Sequence, residues 1–143
     1  MHNLMGYRQQ AYKKVHVETA NPGRVLLQLY DAAIRFVEKA QIQIDDGQAG
    51  PKGESLRRAH AIIAEFINAL DHKMSPQLCS NLEQIYGFML EKIAEANVNM
   101  DSRALVPVLK HLREMRETWQ IAVDQAQSES AATSVATGIG SAL

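Results

Sequence analysis

Apolar residues recur along the chain at steps of three and four, and no run alternates with period two as a half-buried strand would. One stripe is Leu26, Tyr30, Ala33, Val37, Ala40 and Ile44. A second is Leu56, Ala59, Ile63, Phe66 and Leu70, a third Leu78, Leu82, Ile85, Met89, Ile93 and Ala96. A fourth runs through Leu105, Val108, Leu112, Met115, Trp119 and Ala122. Asn21-Pro22 and Ser75-Pro76 each read as a helix cap followed by a first-turn proline, where the missing N–H goes unnoticed. "DDGQAGPKG" at 45–53 is a turn, with Pro51 placed to open the next helix, and "NVNMDS" at 97–102 ends one helix and caps another through Asp101.

The pattern predicts helices over about 22–46, 52–73, 76–98 and 102–127. Short connections between long helices make an all-α fold, an antiparallel four-helix bundle, the expected architecture. Residues 1–127 are expected to form a single bundle domain, with 1–20 a helical or extended segment packed on it as a cap. The Ser/Ala/Thr/Gly-rich stretch 128–143 shows no periodicity and reads as a mobile tail. Pro107 conflicts with a regular helix from Asp101, since it would clash with the carbonyl of Arg103. A distorted first turn or a late helix start is expected there.

The first helix carries more apolar surface than one buried face needs. Val25, Leu29 and Phe36 lie on one flank of its stripe and Leu27 and Ile34 on the other, with Gln28, Asp31 and Arg35 opposite. The apolar arc spans about 200°, against little more than about 100° for an ordinary surface helix. Ile62 and Ala69 in the second helix and Phe88 in the third are also off-centre. Two readings follow. Each bundle helix touches two neighbours and needs a broad face, or the flanks form a groove into which another amphipathic segment docks. On the second reading the uncovered surface needs protection when empty. The N-terminal segment, with Tyr7, Tyr12 and Val17, is the spare amphipathic piece. The candidate partner-binding residues are therefore Tyr7, Tyr12, Val17, Val25, Leu29, Phe36, Ile62 and Phe88.

Composition narrows the classes without changing this picture. An apolar content of 46% suits a globular chain, and a net charge of -1 lacks the basic excess of a nucleic-acid or anionic-membrane binder. The basic clusters Lys13-Lys14, Arg57-Arg58 and Lys110 to Arg113 read as solvated faces, the last two with acidic residues close by. A single cysteine, Cys79, fits a reducing compartment and a small core position. No signal-peptide pattern opens the chain and nothing approaches a membrane span, so a cytoplasmic location without membrane insertion is expected. The histidines His2, His16, His60, His72 and His111 lack ligand-type spacing, and Gly47, Gly50 and Gly53 lack a phosphate-loop ending. Neither a catalytic site, a metal nor a cofactor is expected.

The order of several short elements resembles the FliS family of flagellin-specific export chaperones. These are Tyr12, Thr19-Ala20, Pro22, Leu29-Tyr30-Asp31-Ala32-Ala33, Asn81-Leu82, Tyr86, Ala96-Asn97 and Trp119. Ala32 stands where that family usually has Gly, Ser75-Pro76 where many members have Gly-Gly, and Pro107 at a commonly acidic position. The resemblance implies a helical bundle that binds the disordered C-terminal segment of flagellin. Such a bundle blocks premature polymerisation and hands the subunit to export gate components, free as a monomer or weak homodimer. The extra apolar flanks are then the groove for flagellin's amphipathic helices. The alternative is a helical homodimeric scaffold, unrelated to flagellin, that uses the same surplus for self-association.

Overall fold

The computed structural model of the chain describes the backbone of residues 21–142 and the side chains as far as residue 132. Among these residues the fold is all-α: α1 (Pro22–Asp45), α2 (Ala49–Asn68), α3 (Pro76–Asn99), a 3-10 turn (Ser102–Leu105) and α4 (Val106–Ala142). The described residues divide into two compact units, 29–114, and 21–28 with 115–142.

Helix boundaries follow local chemistry. The Asn21 side chain accepts a hydrogen bond from Gly23 N–H at 3.0 Å, capping the proline-started α1 as expected. At its other end Gly47 takes φ +72°, which a residue without Cβ reaches freely. Gly47 N–H donates to Ile44 O at 3.0 Å and Gln48 N–H to Gln43 O at 2.8 Å, the paired bonds of a glycine-terminated helix. Helix α2 begins at Ala49, before Pro51, and ends at Asn68, five residues short of the expected 73. Ser75 occupies the cap position of α3 with Pro76 behind it, but its side chain makes no capping bond.

The conflict at Pro107 resolves as foreseen. Asp101 accepts from Arg103 N–H at 3.0 Å and starts only a 3-10 turn. The α-helix proper begins at Val106, which places Pro107 where its missing donor is harmless. At the far end α4 does not stop at 127. It continues as helix through the Ser/Ala/Thr/Gly stretch to Ala142. Helix needs only tolerable backbone propensity, and Ala and Ser supply that without any apolar stripe.

Residues 29–114 form an antiparallel bundle whose register is read from its cross-links. Tyr30, early in α1, stacks on Phe66, late in α2, with centroids 4.3 Å apart, while Gln43, late in α1, accepts from Ser55 Oγ, early in α2, at 2.7 Å. Helices α2 and α3 are tied by Lys52 Nζ, 2.6 Å from both Asn97 O and Asn97 Oδ1. Phe88 of α3 meets the His111 ring of α4 edge-on at 5.8 Å. Ser102 Oγ donates to Asp45 at 2.6 Å, and Arg113 pairs with Glu38 at 3.3 Å, so this segment runs antiparallel to α1. Diagonally across the core, Tyr30 and Tyr86 share a hydroxyl–hydroxyl bond of 2.6 Å.

The core is drawn from the expected stripes with local corrections. Tyr30, Ala33, Val37, Leu56, Ile63, Met89, Ile93, Leu105, Val108 and Leu112 are buried. In the first turns of α3, however, Leu78 is 51% exposed, and Cys79 and Tyr86 face inward instead. Cys79 Sγ donates to Asp71 O at 3.3 Å, which draws that side of the helix under the preceding loop. Trp119, placed on a core stripe, is only half-buried. Lys52, a charged residue, is buried because its ammonium satisfies carbonyls in the last turn of α3, where the helix dipole favours a cation.

In the other unit, the start of α1 approaches α4 closely. A Cβ at Gly23 would lie 2.7 Å from Val123 Cγ2. Valine is stiff in a helix and cannot swing aside. Gly23→Ala should therefore destabilise the protein by about 1–3 kcal/mol, read by urea denaturation, and adding Val123→Ala should recover most of that loss.

The Tyr30–Tyr86 pair supplies a second test. Burial, and then the bond to Tyr30, push the Tyr86 hydroxyl pKa well above the ordinary tyrosine range. Below about pH 10 folded and unfolded chains both keep this proton and its contribution is intact. Above that the unfolded chain releases a proton the folded chain retains, so stability falls as pH rises. Tyr86→Phe should lose about 1–2 kcal/mol near neutrality and flatten the alkaline fall, measured as denaturation midpoints across pH.

Candidate functional site

Helical geometry sorts the off-centre apolar residues onto particular seams. Leu29, Phe36 and Gln43 repeat every seven residues on one flank of α1, and Ser55 and Ile62 do so on one flank of α2. The Gln43–Ser55 bond shows that these flanks face each other. The register places Ile62 level with Phe36, one turn beyond Arg58. Leu29, Phe36 and Ile62 are all half-buried: each has apolar surface in the seam and apolar surface still in water. Val25 is also half-buried.

At the Phe36 end the seam opens into a cleft of about 340 Å³ lined by Phe36, Lys39, Gln43, Pro51, Glu54, Ser55 and Arg58. The Arg58 guanidinium carbon lies 5.7 Å from the centre of the Phe36 ring. Glu54 accepts from Arg57 at 2.7 and 3.0 Å and from Arg58 Nε at 3.0 Å. Those two guanidinium bonds hold its carboxyl down at about 2, so it stays ionised throughout the physiological range. The floor is polar but satisfied, since the buried Gln43 and Ser55 bond each other.

Phe88 belongs elsewhere. It is 36% exposed on the flank of α3 that faces α4, against His111, with Lys92 Nζ 5.7 Å from its ring centre. The sequence grouped it with Phe36, but the bundle separates the α1/α2 seam from the α3/α4 seam. Tyr7, Tyr12 and Val17 lie outside the described residues. Periodicity did not single out Ile42 (63% exposed) and Val106 (58% exposed), which the Ser102–Asp45 and Arg113–Glu38 links bracket on the α1/α4 seam. It also passed over Lys39, and read Arg58 only as part of a basic cluster. The clue available was their spacing from Phe36: Lys39 lies one turn along α1, and Arg58 is the long cation of α2 nearest the level of Phe36.

Among the described residues there is no group of three side chains that could hold a metal ion, and no helix long and apolar enough to cross a membrane.

The family model described as flagellar protein FliS matches residues 4–126, which include α1 to α3 and α4 as far as residue 126. The chain belongs to the FliS family. It is 32% identical over 114 residues to the flagellar secretion chaperone FliS of Vibrio cholerae, covering 77% of this chain and 84% of that protein. The flagellar secretion chaperones FliS of Bacillus subtilis (27% over 119 residues, 83% and 88% covered) and Salmonella typhimurium (29% over 116 residues, 78% and 86% covered) are similar over the same extent. The resemblance drawn from Tyr30, Asn81-Leu82, Tyr86 and Trp119 thus stands. Two of those FliS-like residues, Tyr30 and Tyr86, prove to be the pair that joins α1 to α3.

The polar floor of the α1/α2 seam can be tested directly. Ser55→Ala strands a buried Gln43 oxygen and should cost about 1–2 kcal/mol by urea denaturation, whereas Ser55→Ala with Gln43→Leu should recover much of it.

Proposed function

We propose that this protein is a cytoplasmic export chaperone for flagellin. It binds the disordered C-terminal segment of the newly made subunit, prevents premature polymerisation and presents the subunit to export gate components. Membership of the FliS family supports the chaperone class. The observation that carries the flagellin-docking reading is the row of half-buried apolar side chains, Leu29, Phe36 and Ile62, along the α1/α2 seam, which opens into a cleft at Phe36. An amphipathic segment that orders on contact completes the burial of such a row, as in helix-in-groove recognition. Phe88, on the α3/α4 seam, offers a second apolar anchor to a segment long enough to wrap the bundle. The mechanism is stoichiometric masking and needs no nucleotide. The N-terminal residues around Tyr7, Tyr12 and Val17 serve as the cover of this surface when flagellin is absent.

Phe36→Glu places a carboxylate in the seam without touching the buried stripe. Calorimetric titration with a flagellin C-terminal peptide should show binding to the wild-type chain and loss of at least about 2 kcal/mol, some thirtyfold in affinity, in the variant. Far-UV helicity should stay within a few per cent of wild type. Unfolding of the variant together with an unchanged Leu29→Glu titration would instead mark Phe36 as core. Deleting the residues before Val15 should raise affinity for the same peptide if they compete for the seam.

A further inference from the structure

The α1/α2 cleft is not uniformly apolar, and its charges are unevenly matched. Glu54 is doubly engaged by Arg57 and by Arg58 Nε. Arg58 spends only that one nitrogen on it. Its two terminal nitrogens make no hydrogen bond with any described residue while the guanidinium sits above Phe36. Lys39 on the opposite lip, exposed, likewise has no partner among the described residues. One carboxylate therefore faces Lys39 and Arg58 within the cleft, with Arg57 beside it, and the lip is left with a cationic excess.

Cations placed for solubility alone would have no reason to share one cleft from two helices, Arg58 over the half-buried Phe36 ring and Lys39 on the lip of α1. A docked apolar side chain on Phe36 would also displace water from both lips, so a carboxylate reaching Lys39 and the free end of Arg58 would meet them partly desolvated, where charged hydrogen bonds are strong.

We propose that this cleft is a composite subsite that reads one apolar side chain and one acidic side chain of the docked segment. The apolar group packs on Phe36, and an Asp or Glu carboxylate about one helical turn away bridges Lys39 and Arg58. The inference rests on the flagellin reading and adds to it a charge rule: among amphipathic segments, those with an acidic residue beside the anchor are preferred.

The test is calorimetric titration with a flagellin C-terminal peptide, amidated at its end so that only side chains supply carboxylates. Lys39→Glu, in an exposed position, should keep wild-type helicity and weaken binding about three- to tenfold, with a shallower dependence on salt. Arg58→Gln should act in the same direction, Arg57 still holding Glu54. Replacing the peptide's acidic residues by Lys one at a time should reveal a position that weakens binding to wild type and restores it to Lys39→Glu. Wild-type affinity and salt dependence retained in Lys39→Glu, or a loss that no peptide swap restores, would overturn the subsite and leave the flagellin reading standing. A wild-type chain that binds no such peptide would overturn both.

Discussion

Apolar stripes alone hold four helices together but leave them free to slide, because one leucine is nearly as good a neighbour as the next. What removes that freedom between α1, α2 and α3 is a short series of buried and part-buried polar contacts. Tyr30 and Tyr86 share a hydroxyl bond across the core, Ser55 donates to Gln43 between α1 and α2, and Lys52 grips Asn97 between α2 and α3. Shifting α1, α2 or α3 by one turn strands tyrosine, serine or glutamine groups in a low-dielectric interior, at about 1–3 kcal/mol for each, or leaves the buried Lys52 without its Asn97 acceptors. No buried side-chain nitrogen or oxygen among the described residues lacks a partner. Register is thus set by the few polar groups, while the many apolar ones supply the cohesion.

That register decides what the seams present. Because Gln43 must face Ser55, the heptad mates Phe36 and Leu29 also face α2, and Ile62 faces α1. The apolar flank of α1 is therefore not a loose excess but one wall of a defined seam, opened at one end by the small, proline-bearing start of α2. The same argument on α3 turns Phe88 toward α4, since Asn97 and Tyr86 are held toward the other side. Lys52 adds rigidity where the chain is most contorted. It satisfies a carbonyl of the last turn of α3 just before Met100, a non-glycine residue in the left-handed region at φ 49°.

Features that depend on one residue's own chemistry were legible in the sequence: the Asn21 and Asp101 caps, the glycine after α1, the displaced helix start at Pro107, and the inward stripes of α1 and α2. Each follows from a local backbone rule. Features that depend on a neighbour were not. A helical wheel places Leu29, Phe36 and Phe88 off-centre, but cannot say which helix each off-centre residue meets, so one groove was expected where two seams exist. Lys52 reads as a surface lysine until Asn97 is brought to it, and Leu78 reads as core until the loop at Asp71 claims Cys79. Helix beyond 127 carried no signal because a stretch of Ser, Ala, Thr and Gly has no apolar period to detect, while Ala and Ser still tolerate helix.

The seam also bounds how a segment can bind. Completing the burial of three half-covered side chains of Leu, Phe and Ile type is worth about 1 kcal/mol each, roughly half the value of full burial. Ordering a disordered segment costs about 2–5 kcal/mol or more. One seam of this kind therefore at best about breaks even, and in the proposed docking the affinity must come from what is added to it. The fold offers two additions: a second seam at Phe88, reached only by a segment that continues around the bundle, and the cationic lip at Lys39 and Arg58. The first rewards length and the second rewards a particular residue. A chaperone relying on length alone would hold any long greasy chain. One that also reads a carboxylate beside the anchor rejects those lacking it, by leaving its own cations partly dehydrated and unpaired.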